Sequence, residues 1–330
     1  MMNKKGARCT FALCFFGVLA VIFKFSPYAT LANEEDETDI VIYHTNDMHG
    51  NVNSVWNDGK LARIGLDVIK SAKKNTPNSI LIDAGDAIWG TQFAKHKKGL
   101  DIIDMMNAVG YDGMTVGNHE FEYGSDELLN CVRRANFPVV SANIYKNGDV
   151  FLEGINESNG ESFIIERSGR RIGFFGITTE ETKRIIVPSK LDGIEFRDEI
   201  ETARLQIKKL KEQNVDLIVA IAHVGVDISS KTTSRDIAKN LSGIDIIIDG
   251  HSHTEFIGEE NGTIISQTGI GLSNVGKITV KFTKNKPKIR ASLISANDLG
   301  CMFQPDDTIT KMYGNIYSEI SPSLERIVGK

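Results

Sequence analysis

The chain has few cysteines, and their positions exclude one common kind of metal site. Of the 4 cysteines among 330 residues, Cys9 and Cys14 lie near the N-terminus, and Cys131 and Cys301 lie far apart in the body of the chain. No Cys-x-x-Cys pair occurs, so a zinc site made of thiolates is not expected. Sequence separation gives no distance between Cys131 and Cys301, so a disulfide stays open, and we predict two free, buried thiols.

The body of the chain also lacks basic runs, and its formal net charge is −5. A nucleic acid is therefore not an expected partner. No internal repeat or low-complexity segment is visible. The length and the hydrophobic content of 41% are those of an ordinary globular protein with a buried core.

Apolar runs long enough to span a membrane are missing as well, since such a helix needs about 20 apolar residues. The apolar run at residues 9–23 is shorter, follows the basic MMNKKGAR and precedes SPYATLA. This pattern predicts a signal peptide at residues 1–32 and no stable membrane insertion after cleavage. It also predicts export to the periplasm, the cell surface or the extracellular space. An uncleaved anchor is the alternative, because Lys24 interrupts the run and the cleavage site is imperfect.

Apolar runs that end in polar residues alternate along the chain with segments of helical periodicity. This alternation predicts an α/β fold. The strand-rich stretch from about 262 to 296 favours a mixed sheet over a purely parallel one. The predicted strands lie within 39–45, 79–86, 112–120, 138–144, 170–179, 216–223 and 244–253. The predicted helices are 59–74, 99–110, 198–214, 233–242 and a last one within 306–330.

Five of the 7 histidines stand in polar clusters that follow these apolar runs. The clusters are NDMHG (46–50), GNHE (117–120), IAHVGVD (221–227) and DGHSHT (249–254). Taken singly, each histidine has an ordinary interpretation as a hydrogen-bonded residue at a strand end. The clusters fall at the carboxyl ends of predicted strands, however, where open α/β sheets bind ligands.

The spacing within the clusters indicates a metal site. Side chains of an extended segment repeat with period two, so Asp47 and His49 lie on one side, as do His251 and His253. Asp86 and Asn118 end two other strands. Imidazole, carboxylate and amide ligands suit zinc, manganese or iron rather than calcium. The candidates are too many for one tetrahedral ion, whereas two ions that share a carboxylate would use them all.

The order of these motifs resembles the calcineurin-like metallophosphoesterases. The segments TNDMHG, DAGDAIWGT, MTVGNHEFEYG, FPVVSAN, IDGHSHT and ISQTG are similar to the 5′-nucleotidase and UDP-sugar hydrolase family over residues 38–300. The resemblance implies a four-layer α/β/β/α sandwich of two mixed sheets flanked by helices. It also implies a catalytic domain at residues 33–300 and a linker helix at 301–330.

The resemblance assigns a role to each candidate by position. Asp47, His49, Asp86 and His253 match the ligands of a first divalent ion, such as Zn or Mn. Asp86 also matches the bridging carboxylate, and Asn118, His223 and His251 complete the second site. The family often has glutamine at the position of His253. His119 matches a catalytic histidine that is not a ligand, and Glu122 stands where the family usually has an aspartate that orients it.

The implied function is hydrolysis of a phosphoester, with nucleotides as the implied small-molecule substrates. In the family, a metal-bound hydroxide attacks phosphorus in line, and the catalytic histidine serves the leaving group. Family members usually carry a C-terminal domain that binds the nucleoside, and the sequence gives no match to it. A separate chain could supply that domain. The alternative function is a non-catalytic or shortened surface protein that keeps the fold and the metal site.

Overall fold

The computed structural model of the protein describes residues 40–155, 158–284 and 286–327, so the predicted signal peptide lies outside the described residues. The first strands are β1 (Ile40–Thr45), β2 (Val55–Asn57), β3 (Lys60–Arg63), β4 (Ser79–Asp83), β5 (Gly113–Thr115), β6 (Val139–Val140), β7 (Ile144–Lys146), β8 (Asp149–Val150) and β9 (Ser162–Arg167). They are followed by β10 (Arg170–Thr178), β11 (Ile194–Phe196), β12 (Leu217–His223), β13 (Ile246–Ile248), β14 (Glu255–Glu260), β15 (Thr263–Thr268), β16 (Asn274–Lys281) and β17 (Lys288–Ser295). The helices are α1 (Leu66–Lys74), α2 (Gln92–His96), α3 (Leu100–Val109), α4 (Ser125–Arg134), α5 (Thr182–Ile185), α6 (Glu199–Glu212), α7 (Ser234–Asn240), α8 (Ala296–Met302) and α9 (Asp307–Ile327).

Two six-stranded mixed sheets organise these elements. The first has the order β17-β16-β1-β4-β5-β6, with β1, β4, β5 and β6 parallel and β16 antiparallel to β1. The second has the order β14-β15-β13-β12-β10-β9, with the four middle strands parallel and β14 and β9 antiparallel at its edges. Every residue of β1, β4 and β12 is buried, as expected of parallel strands covered on both faces.

The apolar side chains form three clusters that separate four layers. The cluster between the sheets contains Ile42 and Ile82 of the first sheet and Phe174 and Ile221 of the second. A larger cluster packs α1, α3, α4, α8 and α9 against the outer face of the first sheet, and a third packs α6 and α7 against the second. This confirms the expected sandwich of two mixed sheets flanked by helices.

The helix predicted at 59–74 is wrong in its first part. Residues 55–63 form the hairpin β2–β3, and α1 begins at Leu66. The turn contains Asp58 and Gly59, both with positive φ (49° and 74°), which is the Asp-Gly signal of a tight hairpin. Leu61 is buried between exposed neighbours, so its alternation has the strand period of two.

The prediction for the cysteines is half wrong. Both Cys131 and Cys301 are free, but only Cys131 is buried. Burial raises the pKa of the Cys131 thiol to about 12, which keeps it protonated and unreactive. Cys301 lies on the exposed face of α8 because Leu299 is the residue of that helix that faces the core.

The last helix, α9, packs against α1 and α3 in the helical layer on the first sheet. It buries Ile309, Ile316 and Ile320 in the outer cluster. Its role as a linker stays a prediction. Among the described residues, no helix is both long enough and apolar enough to cross a membrane.

Candidate functional site

The carboxyl ends of five strands and the loops that follow them bring the predicted metal ligands to one place. Asp47 and His49 follow β1, Asp86 follows β4 and Asn118 follows β5, all in the first sheet. The second sheet supplies three more from the ends of β12 and β13, namely His223, His251 and His253. Parallel strands share a direction, so their carboxyl ends meet at one edge of each sheet. The candidate site therefore lies where these two edges face each other.

The backbone of these loops is strained at the candidate ligands. Five of the seven have a left-handed φ, a region that side chains other than glycine rarely adopt: Asp47 (48°), His49 (47°), Asp86 (58°), His251 (81°) and His253 (54°). Such strain costs about 1–3 kcal/mol per residue and persists only where the surrounding structure imposes it. Its concentration at the candidate ligands is what a functional site, rather than ordinary turns, would show.

Glycines leave the room that this packing needs. A Cβ atom on Gly117 would lie 2.3 Å from Asp86 Oδ1. A Cβ on Gly250 would lie 2.8 Å from His223 Nδ1 and 3.0 Å from Asp47 Oδ2. A larger residue at either position would place its Cβ closer to these atoms than real Cβ contacts allow. The close approach of the loops therefore requires the glycines of GNHE and DGHSH.

Two buried carboxylates stand at the centre of the site. Asp47 and Asp86 have side chains that are 0% and 1% exposed. Asp47 Oδ1 lies 3.4 Å from His253 Nε2 and 3.9 Å from both His49 Nε2 and His223 Nε2. Asp86 Oδ2 lies 3.2 Å from His223 Nε2 and 4.0 Å from His49 Nε2. Both carboxylates thus reach towards histidines of both sheets.

Asn118 and His251 form a second part of the same site. Asn118 Oδ1 lies 2.8 Å from His251 Nδ1. The backbone N–H of His251 donates to Asp47 Oδ2 at 3.0 Å, which ties this pair to the central carboxylates. The rings of His251 and His223 have their centroids 5.3 Å apart.

The charges of the site favour a bound cation. Burial alone lowers the pKa of His223, but the carboxylates of Asp86 and Asp47 outweigh it and raise that pKa to about 10. Burial opposes ionisation of Asp86 too, yet the neighbouring imidazoles, His223 first, lower its pKa. A hydrogen bond to Asp47 raises the pKa of His253. The two carboxylates therefore create a negative potential strong enough to hold positive charge inside the protein.

The residues present fit a metal ion. Two groups offer ligand atoms that all lie within 4.8 Å of one another, one made of Asp47, His49 and His253 and the other of Asp47, Asp86 and His223. Nε2 of His223 is fully buried and has no hydrogen-bond partner of acceptable geometry among the described residues. Its Nδ1 meets the carbonyl of Ala84 at 2.7 Å, which leaves Nε2 as the nitrogen available to a metal.

His119 lies beside the candidate metal ligands. Its ring centroid is 5.3 Å from that of His49. Its Nδ1 lies 3.1 Å from Glu122 Oε1, so the longer glutamate side chain reaches the imidazole. Lys190 donates to the other carboxylate oxygen of Glu122 at 2.8 Å. Lys190 was not predicted from the sequence, because it lies 68 residues from Glu122, at the end of a short 3-10 helix (Pro188–Lys190) without a motif.

Two further residues that the sequence did not single out hold the ligands in place. Glu120 is 1% exposed, and its carboxylate accepts from the backbone N–H groups of Asp86, Ala87, Ile88 and Gly117 at 2.6–3.2 Å. Asn46 donates to Asp47 Oδ2 at 2.7 Å and to the carbonyl of Gly269 at 2.9 Å. Their positions inside NDMHG and GNHE were the available signal, since Asn46 stands beside Asp47 and Glu120 stands beside His119.

The two histidines outside the clusters do not join the site. His44 is buried between the sheets, where its Nε2 lies 2.9 Å from Ser266 Oγ. His96 is partly exposed and lies 2.9 Å from Asp101. This agrees with their exclusion from the predicted ligands.

Comparison with known protein families identifies the family to which this arrangement of side chains belongs. The family model described as calcineurin-like phosphoesterase matches residues 40–255, which contain all seven candidate ligands together with His119 and Glu122. The chain belongs to the calcineurin-like phosphoesterase family. Members of this family are metal-dependent, which agrees with the donor groups found here.

Relatives of this phosphoesterase include nucleotidases. The 5′-nucleotidase of Mus musculus is 32% identical over 228 residues, which are 66% of this chain and 38% of the relative. The trifunctional nucleotide phosphoesterase protein YfkN of Bacillus subtilis (strain 168) is 31% identical over 278 residues, which are 74% of this chain and 18% of the relative. The chain thus spans well under half the length of these curated relatives.

Solved structures show the same fold. The 5′-nucleotidase precursor from Thermus thermophilus matches with a TM-score of 0.73 and 23% identity, over 86% of this chain and 59% of that one. The calcineurin-like phosphoesterase YfkN from Bacillus subtilis matches with a TM-score of 0.70 and 24% identity, over 86% of this chain and 98% of that one. The second match is a structure of almost the same extent as the sandwich described here.

Proposed function

We propose that this phosphoesterase hydrolyses a small phosphoester with the help of two divalent cations. The observation that carries the proposal is the pair of buried carboxylates, Asp47 and Asp86, which face imidazole nitrogens from both sheets at 3.2–4.0 Å. Without a cation, a buried pair of this kind would be costly for the fold. A structural ion pair would not need ligands from the ends of five strands, three of which lead into loops with a strained backbone at the ligands.

Two sets of residues would hold the ions. Asp47, His49, Asp86 and His253 form the first set, and Asp86, Asn118, His223 and His251 form the second, with Asp86 in common. Oxygen and imidazole donors suit zinc, manganese and similar ions. Ions at such a site neutralise phosphoryl oxygens and make a bound water a stronger nucleophile at neutral pH.

His119 is the proposed catalytic residue of the chain itself. Its ring lies beside His49 and is held by Glu122. An imidazole in this position can give a proton to the oxygen of the leaving group or stabilise charge there. Glu122 fixes the tautomer of the ring through Nδ1, which directs Nε2 towards the substrate.

Nucleotides are the proposed substrates, because relatives over the matched residues are named 5′-nucleotidase and nucleotide phosphoesterase. The organisation proposed with this function is a signal peptide at 1–32, a catalytic domain at 33–300 and a linker helix at 301–330. Export to the periplasm or the cell surface belongs to the same proposal. A nucleoside-binding domain on a separate chain is a further alternative that binding experiments can address.

The test is an assay of chelator-treated protein on 4-nitrophenyl phosphate and 5′-AMP, with and without added Mn²⁺ or Zn²⁺. We expect hydrolysis only with metal, and two ions per chain by elemental analysis. Asp86→Ala should lose or loosen both ions, because it removes the shared carboxylate, and His251→Ala should affect mainly one. Two tightly bound ions in Asp86→Ala would contradict the assignment of the ligands. Metal binding without turnover of any phosphoester would favour a non-catalytic protein.

A further inference from the structure

Glu181 lies directly behind one of the candidate ligands, and no motif of the sequence pointed to it. Its Oε2 is 3.3 Å from His251 Nε2, the ring nitrogen opposite the one that meets Asn118. The side chain of Glu181 is 9% exposed, and that of His251 is 13% exposed. The contact is therefore formed in a nearly dry part of the protein, where a carboxylate acts strongly on its neighbour.

The geometry decides which nitrogen of His251 carries the proton when a cation is held. Asn118 Oδ1 and His251 Nδ1 lie 2.8 Å apart, and both can offer a lone pair to the same ion. Nδ1 must then be unprotonated, so the proton is on Nε2 and points to Glu181. A carboxylate that accepts from the outer nitrogen fixes the ring and makes the inner nitrogen a better ligand.

The surroundings of Glu181 keep its carboxylate in this position. Glu181 is the residue immediately before α5. Its backbone N–H donates to the hydroxyl of Thr179 at 3.2 Å. Its other oxygen, Oε1, pairs with the guanidinium of Arg184, one turn along the chain. Arg184 thus occupies the outward oxygen and leaves Oε2 for the histidine. The neighbouring Glu180 points elsewhere and pairs with Lys231.

We propose that Glu181 is a positioning residue for the second metal ion and acts through His251. The inference rests on the proposed function, since it needs a cation at Asn118 and His251. His223 is held in a different manner, because its outer nitrogen meets the carbonyl of Ala84. A charged acceptor is stronger than a carbonyl, so His251 should depend on Glu181 more than His223 depends on Ala84. His251 belongs to the second set of ligands alone, so removal of Glu181 should weaken the second ion and leave the first nearly unchanged.

The experiment is a calorimetric titration of chelator-treated full chain with Mn²⁺ for the wild type, Glu181→Ala, Glu181→Gln and Glu180→Gln. Loss of such an outer carboxylate typically costs about 10–100-fold in metal affinity, so Glu181→Ala should weaken one of two binding events by that factor. Glu181→Gln should lie between Glu181→Ala and the wild type, because an amide oxygen still accepts from Nε2 but carries no charge. Glu180→Gln is the matched control and should bind both ions as the wild type does.

The outcomes separate this inference from the proposed function. Two ions of wild-type affinity in both Glu181 variants would overturn the role of Glu181 and leave the metal site intact. A wild-type chain that binds no divalent ion would overturn both. Equal weakening of both ions, or equal weakening in Glu180→Gln, would show a general effect on the loop and would also overturn the inference. If Glu181→Ala fails to fold by circular dichroism, the comparison of Glu181→Gln with Glu180→Gln decides the question.

Discussion

At the scale of single residues, the proposed chemistry depends on how His119 is held beside the ligands. Its backbone N–H donates to Asp86 Oδ1 at 2.7 Å, while its ring meets Glu122. The two contacts are independent, because one uses the main chain and the other the side chain. A change of the side chain can therefore remove the imidazole without removing the hydrogen bond that supports the central carboxylate.

We expect His119→Asn to keep both metal ions and to lower kcat by about 10²–10⁴, the usual contribution of a positioned proton donor. An aryl phosphate has a good leaving group and needs less protonation, so it should lose less activity than 5′-AMP. Elemental analysis and steady-state kinetics on both substrates measure these effects. Equal losses on the two substrates would argue against proton donation and for charge stabilisation alone.

Lys190→Met is a milder form of the same test. It removes the hydrogen bond of 2.8 Å to Glu122 but leaves Glu122 and His119 in the chain. The loss of kcat should be smaller than in His119→Asn and should again be larger for 5′-AMP than for the aryl phosphate. Lys190→Arg, which can still pair with Glu122, should restore most of the activity.

At the scale of elements, the contact between the two sheets includes a buried histidine. His44 of β1 lies opposite Gly276 of β16 in the first sheet. A Cβ on Gly276 would lie 1.9 Å from His44 Nε2, so the glycine leaves space for the ring. The ring reaches Ser266 of β15 in the second sheet, and its Nδ1 has no hydrogen-bond partner among the described residues. A buried histidine is thus built into the interface between the two sheets.

This interface should make the fold sensitive to acid. Burial lowers the pKa of His44 from 6.5 to about 3. Below pH 6.5 the unfolded chain therefore binds a proton that the folded chain rejects. Above pH 6.5 the ring is neutral in both states, so it does not lower the free energy of unfolding. As the pH falls from 6.5 towards 3, proton binding to the unfolded chain lowers that free energy progressively. At roughly 1.4 kcal/mol per pH unit, the loss is on the order of 2 kcal/mol at about pH 5.

Urea unfolding of the wild type and His44→Gln at about pH 7.5 and about pH 5 measures this contribution. The glutamine can still reach Ser266 but does not titrate, so its variant should lose less stability between the two pH values. The candidate ligands are the same in both proteins, so any pH effect from them cancels in the comparison. The same loss in both proteins would show that His44 does not contribute to the acid sensitivity.

Sequence patterns predicted the elements of the sandwich better than the contacts between them. Continuous apolar runs predicted β1, β4 and β12 because such strands are buried on both faces. The hairpin β2–β3 was missed because its alternation is short and merges with the periodicity of α1. The space that Gly276 leaves for His44 depends on strand register, which apolar periodicity does not contain.

At the scale of the whole molecule, the site exists only because two sheets meet. The first sheet supplies Asp47, His49, Asp86 and Asn118, and the second supplies the three remaining histidines. Each set was visible in the sequence as polar residues at strand ends. The resemblance to a family divided these residues between a first and a second ion. The roles of Glu120, Lys190 and Glu181 could not be predicted, because each acts on a ligand or on His119 through contacts that only the folded loops create.

Substrate choice is also a property of the whole molecule, because the phosphate and the base of a nucleotide need different parts of a protein. The proposed metal ligands and His119 would act on the phosphate alone. A stacking contact to a base is worth roughly 1–3 kcal/mol, and the resemblance places such contacts in a C-terminal domain that the described sandwich and α9 do not include. We therefore expect a chain of these 330 residues to hydrolyse the four common nucleoside 5′-monophosphates with high KM and kcat/KM values within about tenfold of one another. Steady-state kinetics on the four substrates provide the test. A strong preference for one base would show that loops of this domain form a pocket for it. The ring centroid of Trp89 lies 5.1 Å from that of Tyr123, and Trp89 would then be the first residue to replace by alanine.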